Sequence, residues 1–106
     1  MTVTPRGRDL NTYVMTASHQ ILLEETKEKN IKARCQKISA EHQGIDTYSM
    51  VEKIAQEILQ IIRESLDKDS FVSQERDRQY MPNIDDLYLA RLLLVLQRHF
   101  KIHPFA

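Results

Sequence analysis

Two histidines, His99 and His103, stand four residues apart, the spacing that lets two imidazoles on one helix face grip a single metal ion. The pair lacks further ligands. No carboxylate in that segment supplies a third, and none of His19, His42, His99 or His103 has an acid three residues before it, as the Glu-x-x-His pairs of helical di-metal sites do. His103 also precedes Pro104, which steers it out of helical geometry. The pair reads as positive charge at a helix C-terminus, and no metal or other cofactor is expected. The single cysteine, Cys35, has Lys32, Arg34 and Lys37 around it, and neighbouring positive charge lowers a thiol pKa and raises reactivity. Cys35 also falls in line with Ile31 and Ile38, where cysteine behaves as a small buried hydrophobe. Burial is the expected outcome. The chain has no GxSxG, HExxH, phosphate-binding loop or dinucleotide-binding glycine pattern. The acidic doublets Glu24 and Glu25, and Asp85 and Asp86, are adjacent residues that do not face each other on a helix. The sequence therefore reads as that of a non-enzyme.

Charge is unevenly laid out. Lys27, Lys29, Lys32, Arg34 and Lys37 are diluted only by Glu28, a local net charge of +4. Residues 41–69 carry seven acids against Lys53, Arg63 and Lys68, a net charge of −4. One reading lays the basic stretch on phosphates, with Arg6 and Arg8 assisting from the N-terminal arm, as DNA-binding modules do. The other pairs the basic and acidic helices with each other, within one chain or between two. No glycine-bearing helix-turn-helix turn is evident, and no aromatic residue interleaves the lysines to stack on bases. Nucleic-acid binding by a dimeric regulator, through Lys27, Lys29, Lys32, Arg34 and Lys37, stands as the alternative function.

The strongest candidate for binding is apolar. Between Ile84 and Ile102 twelve of nineteen residues are apolar, more than a single stripe can hold. Leu89, Leu92, Leu93, Leu96 and Phe100 make one face, while Leu87, Tyr88, Leu94 and Val95 fall on other sides. A small bundle covers only part of a helix circumference, and large exposed apolar surface marks a protein interface. Leu89, Leu92, Leu93, Leu94, Leu96 and Phe100 are therefore the expected contact residues of a protein partner, with a homodimer as the favoured form.

Three main helices must position these groups. The first spans about 10–42: Asp9 is its expected N-cap, and Leu10, Val14, Ala17, Ile21, Glu24, Glu28, Ile31, Cys35, Ile38 and His42 step by alternating four and three until Gly44. Glu24 and Glu28 interrupt that seam. An unbroken helix of this length would run about 50 Å, beyond the diameter of roughly 33 Å of a compact domain of this size. It either breaks between Glu24 and Asn30 or overhangs onto a partner. Asn30 could cap a second helix, but Lys32 and Arg34 would then oppose the dipole, which favours one long helix. The second helix covers about 47–67, with capping groups at Asp46, Thr47 and Ser49 and a broad apolar face from Val51 to Leu66. The third covers about 84–102, with Asn83 as N-cap, Asp85 and Asp86 in the first turn and Arg98, His99 and Lys101 at the end. Residues 67–82 show no apolar periodicity. A segment this long is functional or hides a short element, and Ser70 could cap a fourth helix over 71–79, with Phe71, Val72 and Tyr80 packing inward.

Composition bounds the rest. The chain has 106 residues, 42% hydrophobic and 28% charged, with two glycines and three prolines. All-β folds and glycine-cradled phosphate sites are disfavoured together. Fifteen Lys and Arg balance fifteen Asp and Glu, whereas a generic nucleic-acid binder carries a basic excess. The N-terminus has no apolar run of a secretory signal, and the longest apolar run, Leu92 to Leu96, is far short of the ~20 residues that cross a bilayer. The expectation is a flexible arm over residues 1–8, then one all-α bundle over 9–106, cytoplasmic and regulatory, acting without catalysis as an adaptor, assembly factor or inhibitor.

Overall fold

The computed structural model describes residues 9–101, and these form five helices: α1 (Leu10–Glu25), α2 (Glu28–Glu41), α3 (Thr47–Asp67), α4 (Ser70–Glu75) and α5 (Ile84–His99). The all-α reading holds, with two more helices than its three main ones. The expected arm over residues 1–8 lies outside the described residues.

α3 is the axis of the bundle. It buries Met50, Val51, Ile54, Ala55, Ile58, Leu59, Ile62 and Leu66, a stripe too wide for one neighbour. α5 takes one side in the most extensive helix pairing, α1 and α2 take another, and α4 touches the C-terminal end. Each buried Ile or Leu stabilises the fold by roughly 1.5–3 kcal/mol relative to exposure. Of the expected face Val51, Ile54, Ala55, Ile58, Leu59, Ile61, Ile62 and Leu66, all are buried except the half-buried Ile61, and Met50 is buried in addition.

The long first helix is two helices, which corrects the expectation of one. α1 ends where Thr26 turns back: its backbone N–H donates to the Leu22 carbonyl at 3.0 Å and its hydroxyl to the same oxygen at 2.7 Å. Lys27 is extended (φ −61°, ψ 144°) and opens α2 without a side-chain cap. Asn30 does not cap the new helix. Its amide donates to the Glu24 carbonyl at 2.8 Å and closes the old one. The break has a packing reason. α3 runs only about 31 Å, and after a break both Ile31 and Ile38 reach the common core. The dipole argument fails because Glu28 holds the first turn of α2, while Arg34 is tied to carboxylates. The molecule is also elongated, 51 × 29 × 26 Å, not the sphere the overhang argument assumed.

Asp9, Asp46 and Asn83, each named among the expected capping groups, start three helices. Asp9 accepts from the Thr12 N–H at 2.7 Å, and Asn83 accepts from those of Asp85 and Asp86. Asp46, not Ser49, caps α3. Gly44 has φ 79° in the α2–α3 turn, a conformation that costs other residues about 1–2 kcal/mol.

The segment between α3 and α5 is a strap across the start of α1. Asp69 caps α4 with one oxygen, accepting from the Phe71 and Val72 N–H groups, and takes the Tyr13 hydroxyl on the other at 2.5 Å. The Tyr13 and Phe71 rings lie 4.5 Å apart, and the Leu10 N–H donates to the Gln79 side chain at 2.7 Å. The expected fourth helix exists but stops at Glu75, and its cap is Asp69 in place of Ser70. Val72 is buried and Phe71 half-buried, but Tyr80, expected inside, is 82% exposed because the chain beyond the helix turns outward. α5 then starts against the last two turns of α3, where Arg63 pairs with Asp85, and runs back along it. The Tyr88 hydroxyl reaches the Met15 carbonyl on α1 at 3.0 Å.

Two predictions follow from the packing and the caps. Leu92 is fully buried and Leu94 is 45% exposed, so Leu92→Ala should cost about 2–5 kcal/mol in urea denaturation and Leu94→Ala within about 0.5 kcal/mol. The Thr12 backbone N–H lowers the Asp9 carboxyl, and the Ser49 contact lowers that of Asp46. Their stabilisation is full above the ordinary aspartate value of about 3.9 and is lost as pH falls through the depressed folded values. Asp9→Asn with Asp46→Asn, which keeps the cap without the titration, should flatten the acid limb of a melting-temperature profile.

Candidate functional site

The basic stretch is an internal clasp. Arg34 sits at the junction of three helices, donating to Glu25 of α1 at 2.5 Å and to Glu57 of α3 at 2.8 Å. Its side chain is only 17% exposed. Lys37 joins the same Glu57 at 3.2 Å. Lys27 pairs with Glu24 and Lys32 with Glu28. Four of the five cations expected to face phosphate are thus held by carboxylates, and the reading in which basic and acidic helices pair within one chain describes the geometry. Lys29 alone among the five has no carboxylate within 4 Å among the described residues, although its field reaches Glu24. A charge already satisfied by a neighbour releases fewer counterions on meeting phosphate.

Cys35 is half-buried beside Ile31 and Ile38, and burial pushes its thiol up from the ordinary value. Of the cations that surround it in sequence, Lys32, Arg34 and Lys37 are turned to Glu28, Glu25 and Glu57. The thiolate form is disfavoured. His99 stands in the last turn of α5, its ring edge-on to Phe100 at 5.3 Å; His103 lies outside the described residues. Among the described residues no group of three His, Cys, Asp or Glu side chains is placed to hold a metal ion, and no helix is long and apolar enough to cross a membrane.

Several shallow clefts border α3, two of them towards its ends. One, of about 280 Å³, lies where α5 begins, between Arg63, Leu66, Met81 and Asp85. Of its charged lining residues, Arg63 and Asp85 pair with each other and Asp67 pairs with Arg76. The other, of about 300 Å³, lies between the end of α2 and the start of α3, with Glu41, His42, Glu52 and Glu57 on its rim. Neither assembles a nucleophile with a base.

The six expected contact residues of the last helix divide into three groups. Leu92 and Leu96 are fully buried in the core shared with α3. Leu89, Leu93 and Phe100 are half-buried against the same core. Leu94 alone of the six faces outward, at 45% exposure, and Leu87, placed by sequence on another side, joins it at 41%. These two are one heptad apart, with exposed Ala90 between them and exposed Arg91 and Arg98 beside them. Sequence reasoning took Arg98 only as a last-turn cation and did not single out Arg91. Their signal is the spacing Arg91 to Arg98, seven apart and parallel to Leu87 and Leu94, which becomes informative only once the inner face is known. Arg91, Arg98 and Lys101 make no ion pair within 4 Å among the described residues, unlike most cations of α2.

The clasp predicts a measurable cost. Glu57→Gln leaves a part-buried guanidinium with one carboxylate and should lower unfolding stability by about 1–3 kcal/mol, read from denaturant midpoints.

The chain matches no family model, no characterised protein and no solved structure.

Proposed function

We propose that this chain is a non-catalytic protein-interaction module of the adaptor, assembly-factor or inhibitor kind, and that its docking surface is the outer face of α5. One observation supports the reading above others. Leu87 and Leu94 stand half-exposed at heptad spacing beside Arg91 and Arg98, which have no carboxylate within 4 Å among the described residues. Exposed leucines scattered singly need no explanation. Leucines aligned on one helix face with a small residue between them make a ridge that a second helix can straddle. The helix that carries them is held rigidly by α3, so the ridge is presented in a fixed conformation and little ordering entropy is lost on docking.

The homodimer belongs to this proposal too, since a second copy would use the same ridge. The nucleic-acid alternative loses its support with the internal pairing of Arg34, Lys37, Lys27 and Lys32.

Leu87→Glu with Leu94→Glu tests the reading. Both positions face water, so the double variant should keep the helical circular dichroism and melt within a few degrees of the parent. Affinity capture from the source extract, with light scattering for self-association, should then show a specific partner bound by the parent and lost by the variant. Identical captured proteins and identical mass for both forms would refute the assignment of the face.

A further inference from the structure

The charge left over on α5 names the chemistry of the partner. We infer that the outer face of α5 docks an acidic amphipathic helix of another protein: apolar side chains of that helix straddle Leu87, Ala90 and Leu94, and its carboxylates run along Arg91, Arg98 and Lys101. The inference rests on the reading of this face as a docking surface and goes beyond it by fixing the sign of the partner.

The argument is one of unspent charge. Lys27, Lys32, Arg34, Lys37, Arg63, Arg76 and Arg78 each have a carboxylate within 4 Å. Lys29, Lys53 and Lys68 have none among the described residues and stand apart on α2, on α3 and just past its end; the three cations of the α5 face also have none, but they share one face beside the leucines. Arg91 and Arg98 are two helical turns apart on one edge of the leucine ridge, and Lys101 lies just past the helix end, held at φ 58°. An arginine beside an apolar ridge loses water when the ridge is covered, and that loss must be offset by an anion. The acids of α5 are confined to its first turn, where Asp85 pairs with Arg63 and the exposed Asp86 lies more than one turn before Arg98. A partner with carboxylates in its flanking positions satisfies all three cations at once, and opposite charges at such positions set partner choice in helix pairs.

A second copy satisfies them less well. In a parallel pairing of two α5 helices Arg91 can meet the other copy's Asp86, but Arg98 then meets Leu93 and Lys101 meets its own counterpart. In an antiparallel pairing Arg91 and Arg98 of both copies line one edge, and four guanidinium groups crowd together. A lipid surface fits less well again. The apolar ridge offers two half-exposed leucines and an alanine, without the wide apolar face or aromatic anchors of interfacial helices. A single helix laid on α5 covers on the order of 1,000 Å² in total, the small end of specific interfaces, so binding in the micromolar range is expected.

The test uses the full chain and two fluorescent peptides about three heptads long, with leucine at the seam positions and either glutamate or lysine at the flanking ones. Fluorescence anisotropy should show the glutamate peptide bound with micromolar affinity that weakens at high salt, and the lysine peptide bound at least about tenfold more weakly. The charge-reversed protein, Arg91→Glu with Arg98→Glu, should exchange the two preferences while keeping the parent's helical content. Absence of binding, or equal binding of the two peptides, would overturn the inference. So would a parent chain that is already a dimer through this ridge and becomes monomeric on Leu94→Glu, or one that sediments with phosphatidylserine vesicles and ignores both peptides. The two readings fail separately. If the extract partner is lost with Leu87→Glu and Leu94→Glu but retained by the charge-reversed protein, the docking face stands and the acidic partner falls.

Discussion

A helix that is apolar over most of two sides has to be covered from two directions, and in this molecule that helix is α3. Its eight buried residues leave no single neighbour able to hide them. The remaining helices are arranged by that demand. α5 lies along one side, the α1–α2 pair crosses the other, and α4 ties the C-terminal end of α3 to the beginning of α1 through Asp69, Tyr13 and Phe71. α1 itself is wedged closely enough that Ser18 is fully buried, with a hydroxyl that finds no partner among the described residues. Such an orphaned group lowers stability by about 1–3 kcal/mol, a cost the surrounding isoleucines and leucines outweigh.

The same demand divides the charges into two populations. α2 reaches α3 only by bringing its cations over the acidic flank of that helix, so Arg34 and Lys37 meet Glu57 and are spent within the fold. α5 meets α3 through leucines, and its exposed cations Arg91 and Arg98 have no carboxylate within 4 Å among the described residues. Net charge is zero for the chain as a whole, yet neutrality is reached on one side by contact and on the other only on average. A surface of the second kind is where an outside partner gains most, because nothing in the folded chain competes for its charge. The long connection between α3 and α5 holds the start of α1 through Gln79 and Asp69.

Much of this architecture was legible in the residue order. The caps Asp9, Asn83 and the Asp46 turn, the acids at the start of α5 and the cations at its end, and nearly all of the α3 face could be read directly, because they depend on neighbours within one helical turn. The break after Glu25 was visible as Glu24 and Glu28 interrupting the seam, but its outcome was misjudged. The deciding contacts, Arg34 to Glu57 and Ile38 to the core, join residues far apart in sequence. On α5 the leucines were found but not sorted. With twelve apolar residues in nineteen, periodicity alone could not separate Leu92 from Leu94, and the direction in which α3 lies settled which was core. His99 and Cys35, read as a helix end and a packing residue, are placed in those surroundings.

What the sequence by itself determined is local: where helices start and stop, which of them carry wide apolar faces, and that the chain is built from helices at all. Those properties follow from capping, periodicity and the scarcity of glycine, each of which acts over a few residues. Only the tertiary structure decided which face of α5 is inside and which cations are already paired. Burial and ion pairing join residues 23 or 73 positions apart, as in Arg34 with Glu57 and Tyr88 with Met15. No local pattern encodes the side from which such a neighbour arrives.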